Sequence, residues 1–208
     1  MAERRTEPAG VERPEQLRLF VACELPDEVR RALGGIQEDL RRLGAGRLRW
    51  VRPEGIHVTL KFLGEVEAAR VEAITAALAA AVEPFELRLS FLQEGLGGFG
   101  GGRLRVVWVG LEGDITQLAA LAARVEAALK PLGFPADASG RPFAAHLTLA
   151  RVPDQMPPAA RREVAELIGR YRSAPLPSMM LKEISLMRSI LGPAGSVYQR
   201  LAAFPAAG

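Results

Sequence analysis

Two stretches of this chain carry one pattern: His57-Val58-Thr59-Leu60 and His146-Leu147-Thr148-Leu149. Between them they hold both histidines of the protein. Ile56 to Leu63, around the first, predicts a strand, and Ala145 to Val152, around the second, predicts another. Side chains alternate across a strand, so His57, Thr59 and Lys61 are expected on one face and Val58, Leu60 and Phe62 on the other. His146 and Thr148 repeat the first set, Leu147 and Leu149 the second. The apolar faces need a helical cover. The polar faces cannot be core, so they line water or a cleft. Two such strands facing each other would present two imidazoles and two hydroxyls to one ligand.

Working outward, Leu17 to Ala22 alternates and reads as a first strand, with Leu17, Leu19 and Val21 on one face. Asp27 is placed to cap a helix carrying Val29, Leu33, Ile36, Leu40 and Leu43, which Gly44 ends. Arg47 to Val51 suggests a short strand. After the first histidine strand comes a helix with Val71, Ile74, Leu78 and Val82 inward. Phe85 to Leu92 and Arg103 to Val109 read as strands joined by a mobile, glycine-rich hairpin loop, Glu94 to Gly102. Asp114 is placed to cap a helix carrying Ile115, Leu118, Leu121, Val125 and Leu129, and a loop from Pro131 to Arg141 leads to the second histidine strand. A helix over Ala159 to Ile168 comes next, then strands over Leu181 to Ile190 and Val197 to Phe204. Helix, histidine strand, helix and further strands thus occur twice. The order predicts an α+β fold with two similar lobes, each an antiparallel sheet with flanking helices, facing each other across a groove.

Composition narrows the class. The chain has 208 residues, 49% hydrophobic and 25% charged, as a folded soluble domain should. Met1 to Gln16 is polar, contains Pro8, Gly10 and Pro14, and reads as a disordered tail; residues 17–208 read as one domain. The tail lacks the apolar run of a secretory signal, and Ala73 to Val82 is too short to span a bilayer, so a cytoplasmic monomer is the expectation. The single cysteine, Cys23, lies in the apolar run Phe20 to Cys23 and reads as a buried, inert thiol. The net charge is only +3, although 24 of the 27 basic residues are Arg, the better bidentate partner of phosphate.

Two imidazoles titrating near a pKa of about 6.5 can divide acid and base work at neutral pH, and two hydroxyls can hold anionic oxygens. That set suits a phosphodiester. One histidine would take a proton from water while the other gives one to the leaving oxygen, with no metal and no nucleotide cofactor required. A zinc site needs three or four ligands, and two histidines would need a carboxylate to complete one.

At these residues the sequence resembles the two-histidine (2H) phosphoesterase superfamily, and within it the RNA 2′,3′-cyclic phosphodiesterases of the LigT/ThpR type, historically called 2′-5′ RNA ligases. The resemblance covers about Leu17 to Phe204. It rests on the paired HxT motifs, on Arg18 to Ala22, Arg49-Trp50-Val51, Lys61 to Gly64, Arg105 to Gly110, Arg141 to Arg151, and on Ser189 to Leu201 with Gly195 and Tyr198. It implies a bilobal fold with the HxT strands lining a central groove. It also implies metal-independent hydrolysis of RNA or nucleotide 2′,3′-cyclic phosphates to 2′-phosphates. Carried over, Thr59, Thr148 and Arg151 bind phosphate. Our own expectation is His57 as proton donor and His146 as proton acceptor, although the near-equivalence of the lobes permits either assignment. The family often has Pro before the second histidine; Ala145 stands there. Strict alternation puts Arg151 on the wrong face, so its role requires the strand to end, twist or bulge near Ala150. Lys61 has groove parity, and Phe62 has core parity.

Alternatives remain at this level: another small cyclic phosphodiester as substrate, the reverse joining of 2′,5′ linkages, a non-catalytic RNA-binding module, or a metal hydrolase. Gly95 to Gly100 formally matches GxGxxG, but it precedes a strand rather than a helix, so a flexible lip over the groove is expected instead of a dinucleotide site. Trp50 and Trp108 sit in strand-like runs and read as core.

Overall fold

A computed structural model describes residues 14–99, 103–136, 143–192 and 195–205. Among these, nine strands and four α-helices succeed one another as β1 (Gln16–Glu24), α1 (Asp27–Leu40), β2 (Arg49–Trp50), β3 (His57–Glu67), α2 (Val71–Ala81) and β4 (Leu87–Phe99). Then come β5 (Val106–Gly113), α3 (Ile115–Leu129), β6 (His146–Arg151), α4 (Pro158–Arg170), β7 (Met179–Leu181), β8 (Ile184–Gly192) and β9 (Gly195–Phe204). They build two antiparallel sheets, ordered β3-β1-β8-β9 and β2-β6-β5-β4-β7. Each histidine strand therefore lies in a different sheet, and the two-lobed α+β architecture is as expected.

Buried Leu17, Leu19, Val21 and Cys23 of β1 face the helices, and they join one apolar cluster that continues through both sheets to Leu147, Leu149 and Leu186. The Cys23 thiol is buried, and burial pushes its pKa up to about 12, which suits an inert group. No helix among the described residues is long and apolar enough to cross a membrane.

The two halves repeat at a separation of 89 residues. Val29, Leu33, Ile36 and Leu40 of α1 are buried, and so are Leu118, Ala122, Val125 and Leu129 of α3 at the equivalent places. The helices cross over. α1 comes after β1 of the first sheet but reaches β6 of the second, where Gln37 bonds to Leu149. α3 comes after β5 of the second sheet but packs on β3 of the first, where Glu126 meets Lys61.

Several expectations need correction. The glycine-rich run is no loop as far as Phe99: β4 continues through it and pairs Leu96 to Phe99 with Val109 to Val106. A Cβ at Gly97 would run into the Trp108 ring, and one at Gly98 into Leu104. Large neighbours thus fill the space that side chains would take, and glycine here is packing. Residues 100–102 and 137–142, where the rest of that loop and the second part of the other fall, lie outside the described residues, as does the tail up to residue 13. Pro14 and Glu15 are exposed, while Gln16 already belongs to β1. Asp27 is the first helical residue, after Pro26, rather than the cap. Leu43 is 60% exposed, because the chain loosens into a π-turn over Arg41–Ala45, with Gly44 at φ 117°, and rotates it outward.

Candidate active site

β3 and β6 are each interrupted at the same place. Along β3, Val21 of β1 pairs with Lys61 while Ala22 pairs with Thr59, so Leu60 is an extra residue. Along β6, Val107 of β5 pairs with Ala150 while Trp108 pairs with Thr148, so Leu149 is extra. Each bulge lies three residues after its histidine and flips the parity of the residues that follow, until in β3 a second extra residue, Leu63, restores it. Leu60 and Lys61 are consecutively buried, as are Leu149 and Ala150.

The flip settles the position of three side chains. Arg151 turns into the groove beside His146 and Thr148, through the bulge that its expected role required. Lys61 turns away from the groove and is only 7% exposed; its Nζ donates to Pro135 O at 2.7 Å and meets Glu126 Oε1 at 3.3 Å. Phe62, expected in the core, is 65% exposed and lines the groove at the position equivalent to Arg151. Alternation alone misplaces Lys61 and Phe62, because a bulge breaks the period without leaving a diagnostic residue type.

The result is a groove of about 550 Å³ between the lobes, lined by His57, Thr59, His146, Thr148 and Arg151 together. That volume suits a nucleotide-sized ligand. Each imidazole is oriented in one way. His57 Nδ1 lies 2.8 Å from Gly55 O, and His146 Nδ1 lies 2.7 Å from Ala144 O. A carbonyl can only accept, so Nδ1 carries the hydrogen in both rings and Nε2 is left to exchange protons.

The surroundings differ between the two. His57 stacks on Phe20, with centroids 4.7 Å apart and planes at 28°, and meets Tyr198 edge-on at 5.2 Å. Phe20, Ala22 and Met187 form a small apolar floor under this side of the groove, with Tyr198 packed against it. Desolvation by these groups lowers the His57 pKa to about 4. The Gly55 carbonyl and the Glu24 carboxylate oppose the drop, and the nearby Arg151 guanidinium and His146 ring add to it. Glu24, paired with His57 across β1 and β3, is held by Ser185 at 2.8 Å and by Arg200 at 2.7 Å. His146 has Trp108 edge-on at 6.3 Å. Trp50 packs against the core as expected, with Arg41 over its ring at 4.9 Å. Trp108 instead stands on the groove side of its sheet, half-buried beside the second histidine.

Among the described residues, no group of three or more His, Cys, Asp or Glu side chains could hold a metal ion. The site therefore offers two proton-exchanging imidazoles, two hydroxyls and one guanidinium around a common space, which is equipment for proton transfer at an anionic centre.

The family model of the 2′-5′ RNA ligase superfamily matches residues 25–192. An RNA 2′,3′-cyclic phosphodiesterase of Archaeoglobus fulgidus is 38% identical over 192 residues, spanning 90% of this chain and 99% of that protein. One of Methanothermobacter thermautotrophicus is 34% identical over 193 residues, spanning 91% and 98%. Among solved structures, Escherichia coli LigT complexed with 3′-AMP superimposes with a TM-score of 0.68 at 25% identity, covering 93% of this chain and all of that one. A Thermus thermophilus protein gives 0.66 at 30% identity, covering 90% and 97%.

Proposed function

Since the chain belongs to the 2′-5′ RNA ligase superfamily, we propose that it hydrolyses RNA or nucleotide 2′,3′-cyclic phosphates to 2′-phosphates by paired-histidine acid–base catalysis. The observation that carries this is the matched pair of imidazoles. Both are fixed through Nδ1 to the carbonyl two residues earlier, and both line one groove with Thr59, Thr148 and Arg151.

In this scheme water attacks phosphorus in line with the O3′–P bond. His146 Nε2 takes the proton from water as the new P–O bond forms. His57 Nε2 gives its proton to O3′ as that bond breaks, leaving a 2′-phosphate and a 3′-hydroxyl. Thr59 and Thr148 hold non-bridging oxygens, and Arg151 stabilises the charge that develops on them. The two histidines end with their protonation states exchanged, and solvent resets them. His57, neutral in the free protein, gains its proton when an anionic phosphodiester stands opposite it, because the added negative charge favours imidazolium. Phe62, exposed at the rim, offers a flat apolar face to a nucleobase. All five groups come from one chain, so the scheme needs no second subunit and fits a cytoplasmic monomer.

The test is incubation of the pure protein with 2′,3′-cyclic AMP in chelator, with products read by ³¹P NMR. Conversion to 2′-AMP, lost in His57→Ala and in His146→Ala, is expected. No turnover by the unaltered protein, or turnover that disappears with chelator and returns with zinc, would reject the proposal.

A further inference from the structure

The two bulges expose a second symmetric device. Gln37 lies on the buried face of α1, fully enclosed, yet polar. Its Nε2 donates to Leu149 O at 3.0 Å and to Val51 O at 2.7 Å. Leu149 is the extra residue of β6, immediately before the turn that aims Arg151. Val51 opens the segment that runs to Gly55, whose carbonyl orients His57. One amide thus ties the bulge of one histidine strand to the lead-in of the other. Its oxygen has no partner among the described residues, so the side chain serves through its two donors.

Eighty-nine residues later, Glu126 occupies the equivalent place on α3. It meets Lys61, the residue directly after the extra Leu60 of β3. Lys61 in turn donates to Pro135 O, on the segment leading towards His146. The chemistry differs: in one half the helix amide bonds both backbone points itself, in the other the helix carboxylate holds Lys61, which bonds the second point. Each helix crosses from its own lobe and meets the bulge region of a histidine strand.

We propose that Gln37 and the Lys61–Glu126 pair are positioning residues, matched across the two lobes, that lock the β6 and β3 bulges and so aim Arg151 and Phe62 at the substrate. The inference rests on the phosphodiesterase reading for its substrate. None of the three lines the groove; they act through the backbone that carries a groove residue. A purely structural prop would lower stability without regard to Arg151. A positioning residue must lose its effect once the group it aims is gone.

The experiment is a double-mutant cycle with 2′,3′-cyclic AMP as substrate and inorganic phosphate as binding probe. Gln37→Met keeps the volume and removes the donors. It is expected to raise KM about tenfold with kcat changed less than about threefold, as a misaimed phosphate ligand would. Gln37→Met added to Arg151→Ala is expected to cost nothing more. Independent, multiplying losses in the double variant overturn the proposal. If Gln37→Met does not fold, Lys61→Met combined with Phe62→Ala runs the same cycle on β3, where Lys61→Arg restores the wild-type constants. Should the unaltered protein not turn over the nucleotide, the phosphodiesterase reading falls. Phosphate affinity across the four β6 proteins of the cycle still decides the positioning role, by coupling or by its absence.

Discussion

The two histidines share a sequence motif and a backbone clamp, yet different side chains surround them. His57 sits against Phe20 and Tyr198, and its pKa falls to about 4. Following its ring resonances by NMR should show that low titration in the free protein and an upward move when 2′-AMP is added; a midpoint unmoved by ligand would argue against His57 as donor. The same shift has a stability consequence. Between about pH 6.5 and 4 the unfolded chain binds a proton at this position that the folded chain refuses, so stability falls as pH drops through that window, by up to about 3 kcal/mol. Urea titrations at pH 7 and pH 4.5 should show a smaller acid loss in His57→Asn than in the unaltered protein. At Arg151, replacement by Leu removes a charge-assisted contact and should raise KM by about 10- to 100-fold with the fold intact by circular dichroism. The histidines and threonines were legible because period-2 alternation holds from His57 to Leu60 and from His146 to Leu149. Phe62 was illegible because the extra residue lies between it and the motif, and nothing in Leu60-Lys61-Phe62-Leu63 marks it. Two apolar residues in succession, Leu149-Ala150, are the trace that the second bulge leaves in the sequence.

At the level of elements, the helices were readable from their spacing and most strands from their alternation, but β7 was not read as a strand apart from β8, and β4 runs seven residues past its expected end. β4 shows where composition misleads. A glycine-rich run suggests flexibility, whereas Gly97 and Gly98 lie in a paired strand beneath larger neighbours. The missing side chains let the Trp108 ring lie against β4, beside His146. Gly97→Val should therefore destabilise the protein by about 1–3 kcal/mol, as overpacking does, despite the better strand propensity of Val. A thermal melt that stayed unchanged or rose would show that β4 moves aside freely. Arg161 of α4 is buried too, donating to Leu104 O and Pro153 O, and it pins the turn just beyond Arg151. Helical spacing puts Arg161 on the buried stripe with Val164 and Ile168, unlike the exposed arginines around it, but its acceptors come from loops that only the fold brings together.

Taken whole, the molecule is modestly basic, at +3, with Arg18 and Arg151 on the groove. An RNA strand longer than one nucleotide would meet more of this charge than a cyclic mononucleotide does. The KM for an oligonucleotide ending in a 2′,3′-cyclic phosphate should rise more steeply with salt than the KM for 2′,3′-cyclic AMP. Equal slopes would confine recognition to the terminal nucleotide. The two-lobed plan was readable from the repeated order of elements, but the crossing of α1 and α3 between lobes was not, because hydrophobic periodicity says which face is buried and not against what. The first sheet, moreover, joins β1 and β3 to β8 and β9. The cradle of His57 is drawn from residues as far apart as Phe20, Met187 and Tyr198. On a ribosome, then, the first histidine follows Phe20 closely but emerges long before Met187 and Tyr198 have been translated. A partly made chain carries the motif without the machinery, and competence to cut arrives only when the last hairpin docks.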